Sequence, residues 1–560
     1  MVTEVLEKVL IEALDAYILE TVKVVKSNRP DLCDYQFDGA FQLAKLYKKS
    51  PMEIAEEISC VLRESSYFKK VEAVTPGFIN MTLSDSFMNQ ILRDMKKFPK
   101  FNLPQVEPTL TYVIDYGGPN IAKPLHVGHL RPAIVGESIK RIIAYVGHKV
   151  IGDVHFGDFG LQIGEVIYGM QKEHISVEDV TLEDLNRLYP EISALCKEDE
   201  VVKETCENIT KELQDGSLEY ERYYRKIFDL SKKDIVRIYK YLDVDFDLWY
   251  GEMDSRAFIP LVEKILVEKS LAYISEGALV VDVTEETDKK EIPPLIFKKR
   301  NNGYLYGSTD MATIYQREKD FHPDYILYVA DLRQSLHFNQ VFRASLKAGI
   351  TDAQLEHIGF GTINGNDGKP YKTRSGKTPK LDALFKEVEE LFVESKETNK
   401  DMSEEDKKRI VNSILKFADL QNNREKDYIF DGKKFSDVVG KTGPYVLYTY
   451  LRIKRILELE EYKENGLSDT IYNEYDRNLR LQLLDFHKDV LGAFHLRLPS
   501  VIASYIYDLC VCLNTFYQNN HVSKLEDETK KQDWLFVLAL AKDVLKELLN
   551  LLGIEIPSMM

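Results

Sequence analysis

The fold of this chain is decided by residues 109–148, which read TLTYVIDYGGPNIAKPLHVGHLRPAIVGESIKRIIAYVGH. The stretch opens with a short apolar run rich in β-branched and aromatic residues, which predicts a buried strand ending in two glycines. A helix should follow, because apolar residues recur at helical spacing from Leu130 to Val146 and Gly147 supplies a stop signal. A strand, a turn and a helix in this order predict the first unit of a parallel α/β sheet.

Further strands are predicted where short apolar runs return along the chain. They are KVIGDVHFGD at 149–158, YILYVAD at 325–331 and HIGFG at 357–361. We therefore expect a multidomain α/β protein with a Rossmann-type doubly wound parallel sheet over residues 106–375. Helical insertions are expected within it, at about 165–250 and 255–303.

The two flanks of this region differ from it in pattern. Residues 1–105 combine helical apolar spacing with strand-like runs around Pro76-Gly77, which predicts a separate α+β domain. Beyond about residue 375 we expect no strands. Helical spacing of apolar residues there predicts an all-α domain over 376–560.

Composition limits the function classes. A length of 560 residues suggests about three or four domains. The net charge of −17 argues against a nucleic-acid partner, but only weakly, because one local basic groove is enough to bind phosphates. The six cysteines form no CxxC pair, so we expect reduced thiols and no protein-bound metal site. Neither a signal peptide nor an apolar run of membrane-spanning length is visible, which favours a cytoplasmic protein without a membrane partner.

The strongest chemical signal is the segment HVGH, residues 126–129, between the first strand and its helix. Unpaired N–H groups at a helix start attract phosphate. Gly128 lets a nucleotide approach the backbone. Leu130, at the start of the helix, is also predicted to contact the nucleotide. His126 and His129 can donate hydrogen bonds to phosphate oxygens as charge builds on them, and Lys123 adds a cation. We therefore predict ATP binding here, with the two histidines and the lysine as catalytic groups.

The longer string PNIAKPLHVGHLR, residues 119–131, resembles the signature of the class I aminoacyl-tRNA synthetases, and of the arginyl members in particular. Other motifs with counterparts in that family follow in order: GDFGLQIG, YLYGSTD, LRQSLHFNQ, GFGTINGNDGKPYKTRSG, GPYVLYTYLRI and LLGIEIPSMM. The resemblance covers nearly the whole chain. It implies an arginine–tRNA ligase that uses ATP and Mg²⁺ to join L-arginine to tRNA(Arg) through arginyl-adenylate. It also implies that residues 1–105 contact tRNA and that residues 376–560 bind the anticodon. We also expect a monomer.

The resemblance also assigns an arginine pocket. A guanidinium presents paired planar donors, which carboxylates match. The family positions that hold arginine correspond here to Asp115, Asn120, Glu252, Tyr306, Asp310 and Gln334. Asp115 departs from the family pattern, because it is shorter than the Glu often found at its position.

Two further groups of residues follow from the resemblance. The family's KMSKS loop is replaced here by KTRSG, in which Lys372 is predicted as a catalytic group and, with Arg374, as a phosphate contact. Tyr445, Tyr448 and Met560 match positions near the anticodon and are predicted to contact tRNA.

Two alternatives remain open from the sequence. Another class I synthetase or a small HxGH adenylyltransferase would share HVGH. A cysteinyl-type synthetase, however, needs zinc-binding cysteines, and small adenylyltransferases lack the long C-terminal helical region. A catalytically altered or regulatory tRNA-binding paralogue is favoured by the missing KMSKS, by Gly117-Gly118 and by Pro132. The intact histidines and the Tyr306/Asp310 pair favour an enzyme.

Overall fold

The structure, a computed structural model, describes residues 2–14, 17–19, 21–300, 303–371, 380–394, 402–464 and 466–560. The strands are β1 (Val25–Lys26), β2 (Tyr35–Phe37), β3 (Phe68–Val74), β4 (Phe78–Leu83), β5 (Thr111–Asp115), β6 (Lys149–Asp153), β7 (Ala272–Ser275), β8 (Ala278–Val281), β9 (Leu295–Lys298), β10 (Tyr325–Asp331), β11 (Gln354–Phe360), β12 (Ile363–Asn364) and β13 (Tyr428–Ile429). The helices are α1 (Val2–Ala13), α2 (Ala40–Tyr47), α3 (Pro51–Arg63), α4 (Asp85–Lys97), α5 (Leu130–Tyr145), α6 (Leu161–Lys172), α7 (Leu182–Glu198), α8 (Glu200–Gln214), α9 (Leu218–Tyr241), α10 (Glu252–Ser255), α11 (Ile259–Glu268), α12 (Tyr306–Phe321), α13 (Ser335–Ala348), α14 (Leu381–Glu394), α15 (Glu404–Leu420), α16 (Gly432–Phe435), α17 (Gly443–Leu459), α18 (Glu474–Leu484), α19 (Phe486–Leu496), α20 (Pro499–Asn519) and α21 (Glu528–Leu551).

A four-stranded parallel sheet in the order β11-β10-β5-β6 forms the centre of the larger of two compact units, which comprises residues 106–447, 493–503 and 549–560. Val113 and Ile326 lie opposite each other on β5 and β10 and are fully buried. Parallel strands covered on both faces carry such apolar runs. The predicted Rossmann-type α/β fold is confirmed.

The strand order also marks where a ligand can bind. The chain runs from β5 to its neighbour β6 on one side, and later returns with β10 on the other side of β5. The connections therefore leave β5 and β10 in opposite directions, and a crevice opens at the carboxyl ends of these two strands.

Of the two insertions predicted to be helical, the second differs from the prediction. Helices α6 to α9 occupy residues 161–241, so that segment is helical. The segment 255–303, however, contains the antiparallel sheet β7-β8-β9, and the expectation that it is helical is wrong. The reason is a two-residue hairpin turn, in which Glu276 and Gly277 both have positive φ (50° and 84°). A turn of this kind matches the twist of the antiparallel strands beside it.

The smaller unit comprises residues 1–105, 448–492 and 504–548. Its sheet has the antiparallel order β1-β2-β4-β3, and β3 and β4 flank the predicted Pro76-Gly77 turn. Arg480 on α18 is fully buried and donates to Asp476 and Asn89 at 2.7 Å each and to Asp533. These bonds tie the helices of this unit to its N-terminal residues.

The C-terminal region is helical as predicted, with one exception. β13 is a short strand that pairs in parallel with β12, so the expectation of no strand beyond residue 375 is wrong. The domain boundaries drawn from the sequence stay predictions.

Candidate active site

A cavity of about 690 Å³ opens at the carboxyl ends of β5 and β10 in the larger unit. Many of the residues singled out from the sequence line it: Asp115, Asn120, His126, Gly128, His129, Glu252, Tyr306, Asp310 and Gln334. They come from segments that are far apart in the chain. The fold therefore brings the predicted nucleotide and arginine residues to one concave site.

The HVGH segment forms a capped turn at the start of α5. His126 Nδ1 accepts a hydrogen bond from the Gly128 N–H at 3.0 Å, and His129 Nδ1 accepts from the His126 N–H at 3.1 Å. The two rings lie 4.0 Å apart between centroids. Because both Nδ1 atoms accept, the proton of each neutral ring is on Nε2.

The electrostatics keep these imidazoles neutral. Burial lowers the pKa of His126, and Lys123 lowers it further. Burial together with the nearby His126 lowers the pKa of His129 to about 3. Both rings therefore present a neutral Nε2–H donor. A side chain at Gly128 would place its Cβ 2.8 Å from the His126 ring, so glycine at this position leaves room for that ring.

The residues at the acidic end of the cavity lie at or near the starts of two helices. Tyr306 is the first residue of α12, and Asp310 follows one turn later on the same face. Glu252 begins α10, is 7% exposed and accepts from the Phe159 N–H at 3.2 Å. Burial, followed by the charge of Asp158, raises the pKa of Glu252 to about 8. This carboxyl is thus poised to ionise when a cation arrives.

Asp115 and Asn120 also line the cavity. The Asp115 carboxylate accepts from Arg317 Nη2 at 2.7 Å, and the same nitrogen donates to Asp153 at 2.7 Å. Asn120 packs so closely on Gly157 that a Cβ there would lie 2.3 Å from its side-chain oxygen. Both side chains are therefore held in place beside the sheet.

The comparisons with known proteins decide the family. Residues 87–432 match the model of the class I tRNA synthetases (R) catalytic domain. The chain is 41% identical over 571 residues to an arginine–tRNA ligase of Agathobacter rectalis, covering 96% of each, and 40% identical to that of Alkaliphilus oremlandii, covering 96% and 95%. The chain belongs to the arginyl-tRNA synthetase family.

The flanking regions and the solved structures match the same family. Residues 1–83 match the arginyl-tRNA synthetase N-terminal domain, and residues 446–560 match the DALR anticodon-binding domain. The arginyl-tRNA synthetase of Plasmodium falciparum superposes with a TM-score of 0.82 at 26% identity, covering 100% of this chain and 99% of that one. The Thermus thermophilus structure has the same TM-score at 23% identity and full coverage of both chains, which supports the fold. As a member of the class I synthetases, the chain uses ATP.

Two further residues predicted to be catalytic or ATP-binding in this arginyl-tRNA synthetase family member, Lys123 and Leu130, do not line the cavity. The Lys123 ammonium lies 4.4 Å from the centroid of the Tyr189 ring. Leu130 begins α5 and is 1% exposed, so its side chain is buried. Lys372 and Arg374 lie outside the residues that the structure describes.

Two of the three predicted tRNA contacts lie on one helix, and the third is the last residue of the chain. Tyr445 and Tyr448 are one turn apart on α17; the first is half-buried and the second is 47% exposed. Met560, at the chain end, is half-buried. The Arg452 guanidinium lies 3.8 Å from the centre of the Tyr517 ring, which leaves a stacked cation near the surface of α17.

Several cavity residues escaped the sequence analysis. His155 and His337 both line the cavity, and Arg131 reaches it from the first turn of α5 while pairing with Asp419 at 3.0 Å. For two of them the sequence signal is positional: His155 follows β6, and His337 lies in LRQSLHFNQ, the segment that also contains the predicted Gln334. Gly117 and Gly118 have positive φ (90° and 45°), which accounts for glycine at both positions.

Within the described ranges, no helix is both long and apolar enough to cross a membrane. In the same ranges, no group of three or more His, Cys, Asp and Glu side chains is arranged to hold a metal ion.

Proposed function

We propose that the protein joins L-arginine to tRNA(Arg) at this cavity in two steps. In the first step, an oxygen of the arginine carboxylate attacks the α-phosphorus of ATP, the bond to the β-phosphate oxygen breaks, and pyrophosphate leaves. In the second, a ribose hydroxyl of the terminal tRNA adenosine attacks the carbonyl of arginyl-adenylate, AMP leaves and the hydroxyl proton is released. No side chain needs to form a covalent intermediate, so catalysis rests on positioning and charge stabilisation.

The two histidines serve the first step. Their neutral Nε2–H groups donate to phosphate oxygens whose negative charge grows as the pentacoordinate transition state forms. Because the Nδ1 atoms are already used by backbone N–H groups, the donors need no reorganisation at that moment. We further assign Gly128 to the nucleotide, and Lys123, Lys372 and Arg374 as supporting cations.

Arginine recognition falls to the opposite end. Asp310 and Glu252 accept from the guanidinium, and the exposed ring of Tyr306 packs beside it. Asp115 and Asn120 hold the polar head of the amino acid, with Gln334 at the rim. This orientation places the arginine carboxylate between the two ends, where it can meet the α-phosphate.

Mg²⁺ is the expected cofactor. This cation favours oxygen ligands and commonly keeps several waters while binding substrate phosphates. Since the described residues offer no cluster of metal-ligating side chains, the phosphates of ATP would supply most of its ligands. When bound, the ion neutralises phosphate charge during pyrophosphate departure.

Two further assignments concern the whole protein. Tyr445, Tyr448 and Met560 are proposed to contact the anticodon end of tRNA, and residues 1–105 another part of it. A monomer in the cytoplasm is proposed, and light scattering checks the first point by returning a mass near 64.7 kDa.

The observation that supports this function most directly is the convergence of imidazole donors and carboxylates on one cavity. The test is amino-acid-dependent exchange of pyrophosphate into ATP with each of the twenty amino acids, with and without total tRNA. We expect exchange with arginine alone, and only when tRNA is present, as the family resemblance implies. Exchange with a different amino acid, or none under any condition while the protein is folded, contradicts the proposal.

A further inference from the structure

Asp310 is already engaged before any ligand arrives. Its Oδ2 lies 2.5 Å from Nε2 of His337, and the two side chains are 18% and 29% exposed. Both residues line the cavity. The carboxylate on which guanidinium recognition depends is therefore held from one side by a second side chain.

The position of His337 is well supported. It lies in the first turn of α13, where its ring meets the Phe338 ring edge-on at 5.5 Å between centroids. Phe338 is 8% exposed and packs in turn against Tyr328 at 5.1 Å and His357 at 4.8 Å. A ring fixed in this way has little freedom, so its Nε2 is a rigid partner for the carboxylate.

We propose that His337 is a positioning residue for arginine: it fixes the plane of the Asp310 carboxylate and leaves the second oxygen to the guanidinium. This inference rests on the proposed function. A guanidinium requires its acceptor in a defined plane, so a carboxylate that can rotate binds it less well. Loss of His337 should therefore weaken arginine binding while the ATP end, built on HVGH, is unaffected.

Charge gives the proposal a second consequence. Burial alone would lower the pKa of His337, but the hydrogen bond and charge of Asp310 outweigh it and raise the pKa. Other titratable groups that interact with Asp310 are Glu252 on α10, Tyr306 at the start of α12 and Tyr328 on β10. An imidazolium offsets part of the charge that attracts arginine, and the neutral ring keeps the bond without offsetting it. Arginine binding should therefore strengthen as pH rises through the His337 titration.

The experiment compares His337→Ala and His337→Gln with the unchanged protein in steady-state aminoacylation. Glutamine can place an N–H donor near the position of Nε2 but does not titrate. We expect the KM for arginine to rise about tenfold in His337→Ala, the scale for losing a hydrogen bond to a charged group, with kcat and the KM for ATP within about twofold. His337→Gln should have a KM for arginine close to that of the unchanged protein. In this variant the KM for arginine should also depend less on pH between about 6 and 8 than it does in the unchanged protein.

The matched control is His357→Gln, which removes an imidazole that also packs on Phe338 but bonds to the Ala330 carbonyl at 3.2 Å. It should leave the KM for arginine unchanged. If His337→Ala fails to fold, the pH profile of His337→Gln decides the question. Two results overturn the proposal: an unchanged KM for arginine in His337→Ala, or the same pH profile in His337→Gln as in the unchanged protein. In either case, arginine activity of the unchanged protein still supports the proposed function. Absence of arginine activity in the unchanged protein would instead refute the proposed function.

Discussion

His129 allows its structural and chemical roles to be separated by one substitution. Its Nδ1 accepts the His126 N–H at 3.1 Å, and its Nε2–H is the proposed donor to phosphate. Asparagine can place an oxygen near the position of Nδ1, but it has no atom near that of Nε2. His129→Asn should therefore keep the capped turn and lose the donor, whereas His129→Ala loses both.

The magnitudes follow from these two bonds. Loss of one preorganised donor to a developing charge costs about 10²–10³ in kcat, or about 3–4 kcal/mol of transition-state stabilisation. Loss of a helix cap costs about 1 kcal/mol of folding stability. We expect His129→Asn to show the rate loss with an unfolding free energy close to that of the unchanged protein, and His129→Ala to show both losses.

The assay is pyrophosphate exchange with saturating arginine, ATP and tRNA, paired with urea unfolding of each variant. Since burial lowers the pKa of His129 to about 3, its ring stays neutral across the assay range. The activity of the unchanged protein should therefore show no loss attributable to His129 protonation near pH 6. Near-normal kcat in His129→Asn would refute the donor role, and a rate that requires a protonated His129 would refute the neutral tautomer.

Four further outcomes are expected. Asp310→Asn should raise the KM for arginine by about 10–100-fold, because a charge-assisted bond is lost, while the KM for ATP stays constant; equal effects on both would contradict the assignment. Arginine binding at pH 7 should release protons, up to about one per site, because burial raises the pKa of Glu252 to about 8 and the guanidinium favours its ionised form; calorimetry in two buffers measures this release, which should fall in Glu252→Gln. Arg480→Met should lower the unfolding free energy by about 3–5 kcal/mol in urea denaturation, because two buried aspartates lose their cation. A change below about 1 kcal/mol would show that the aspartates are protonated or hydrated instead. Tyr448→Ala should raise the KM for tRNA by about 5–100-fold without changing the KM for arginine, and an unchanged KM for tRNA would remove the stacking role.

Local pattern was enough to predict several elements. The apolar run ending at Asp115 and the helical spacing from Leu130 onward determined β5, the HVGH turn and α5, because strand and helix periodicities are properties of neighbouring residues. The same holds for β10 and for most helices near the C-terminus. The family resemblance came from several separate motifs in order, which together are far more specific than HVGH alone.

Other features depended on contacts between distant segments. The hairpin at Glu276-Gly277 and the two-residue strand β13 were missed, because a short strand is stabilised by a partner that local periodicity does not reveal. The role of His337 depends on the proximity of α12 and α13, which the sequence pattern does not reveal. The same limit applies to the pKa of Glu252, which is raised by burial and by Asp158.

The amino-acid sequence by itself therefore determined the strands of the parallel sheet, most of the helices, the phosphate-binding turn and the residue types that arginine requires. Only the tertiary structure decided which carboxyls are buried, which nitrogen of each HVGH histidine is free, and that Asp310 is held by His337. The physical reason is that burial and hydrogen-bond partners are set by neighbours in space, and those neighbours come from segments many residues away.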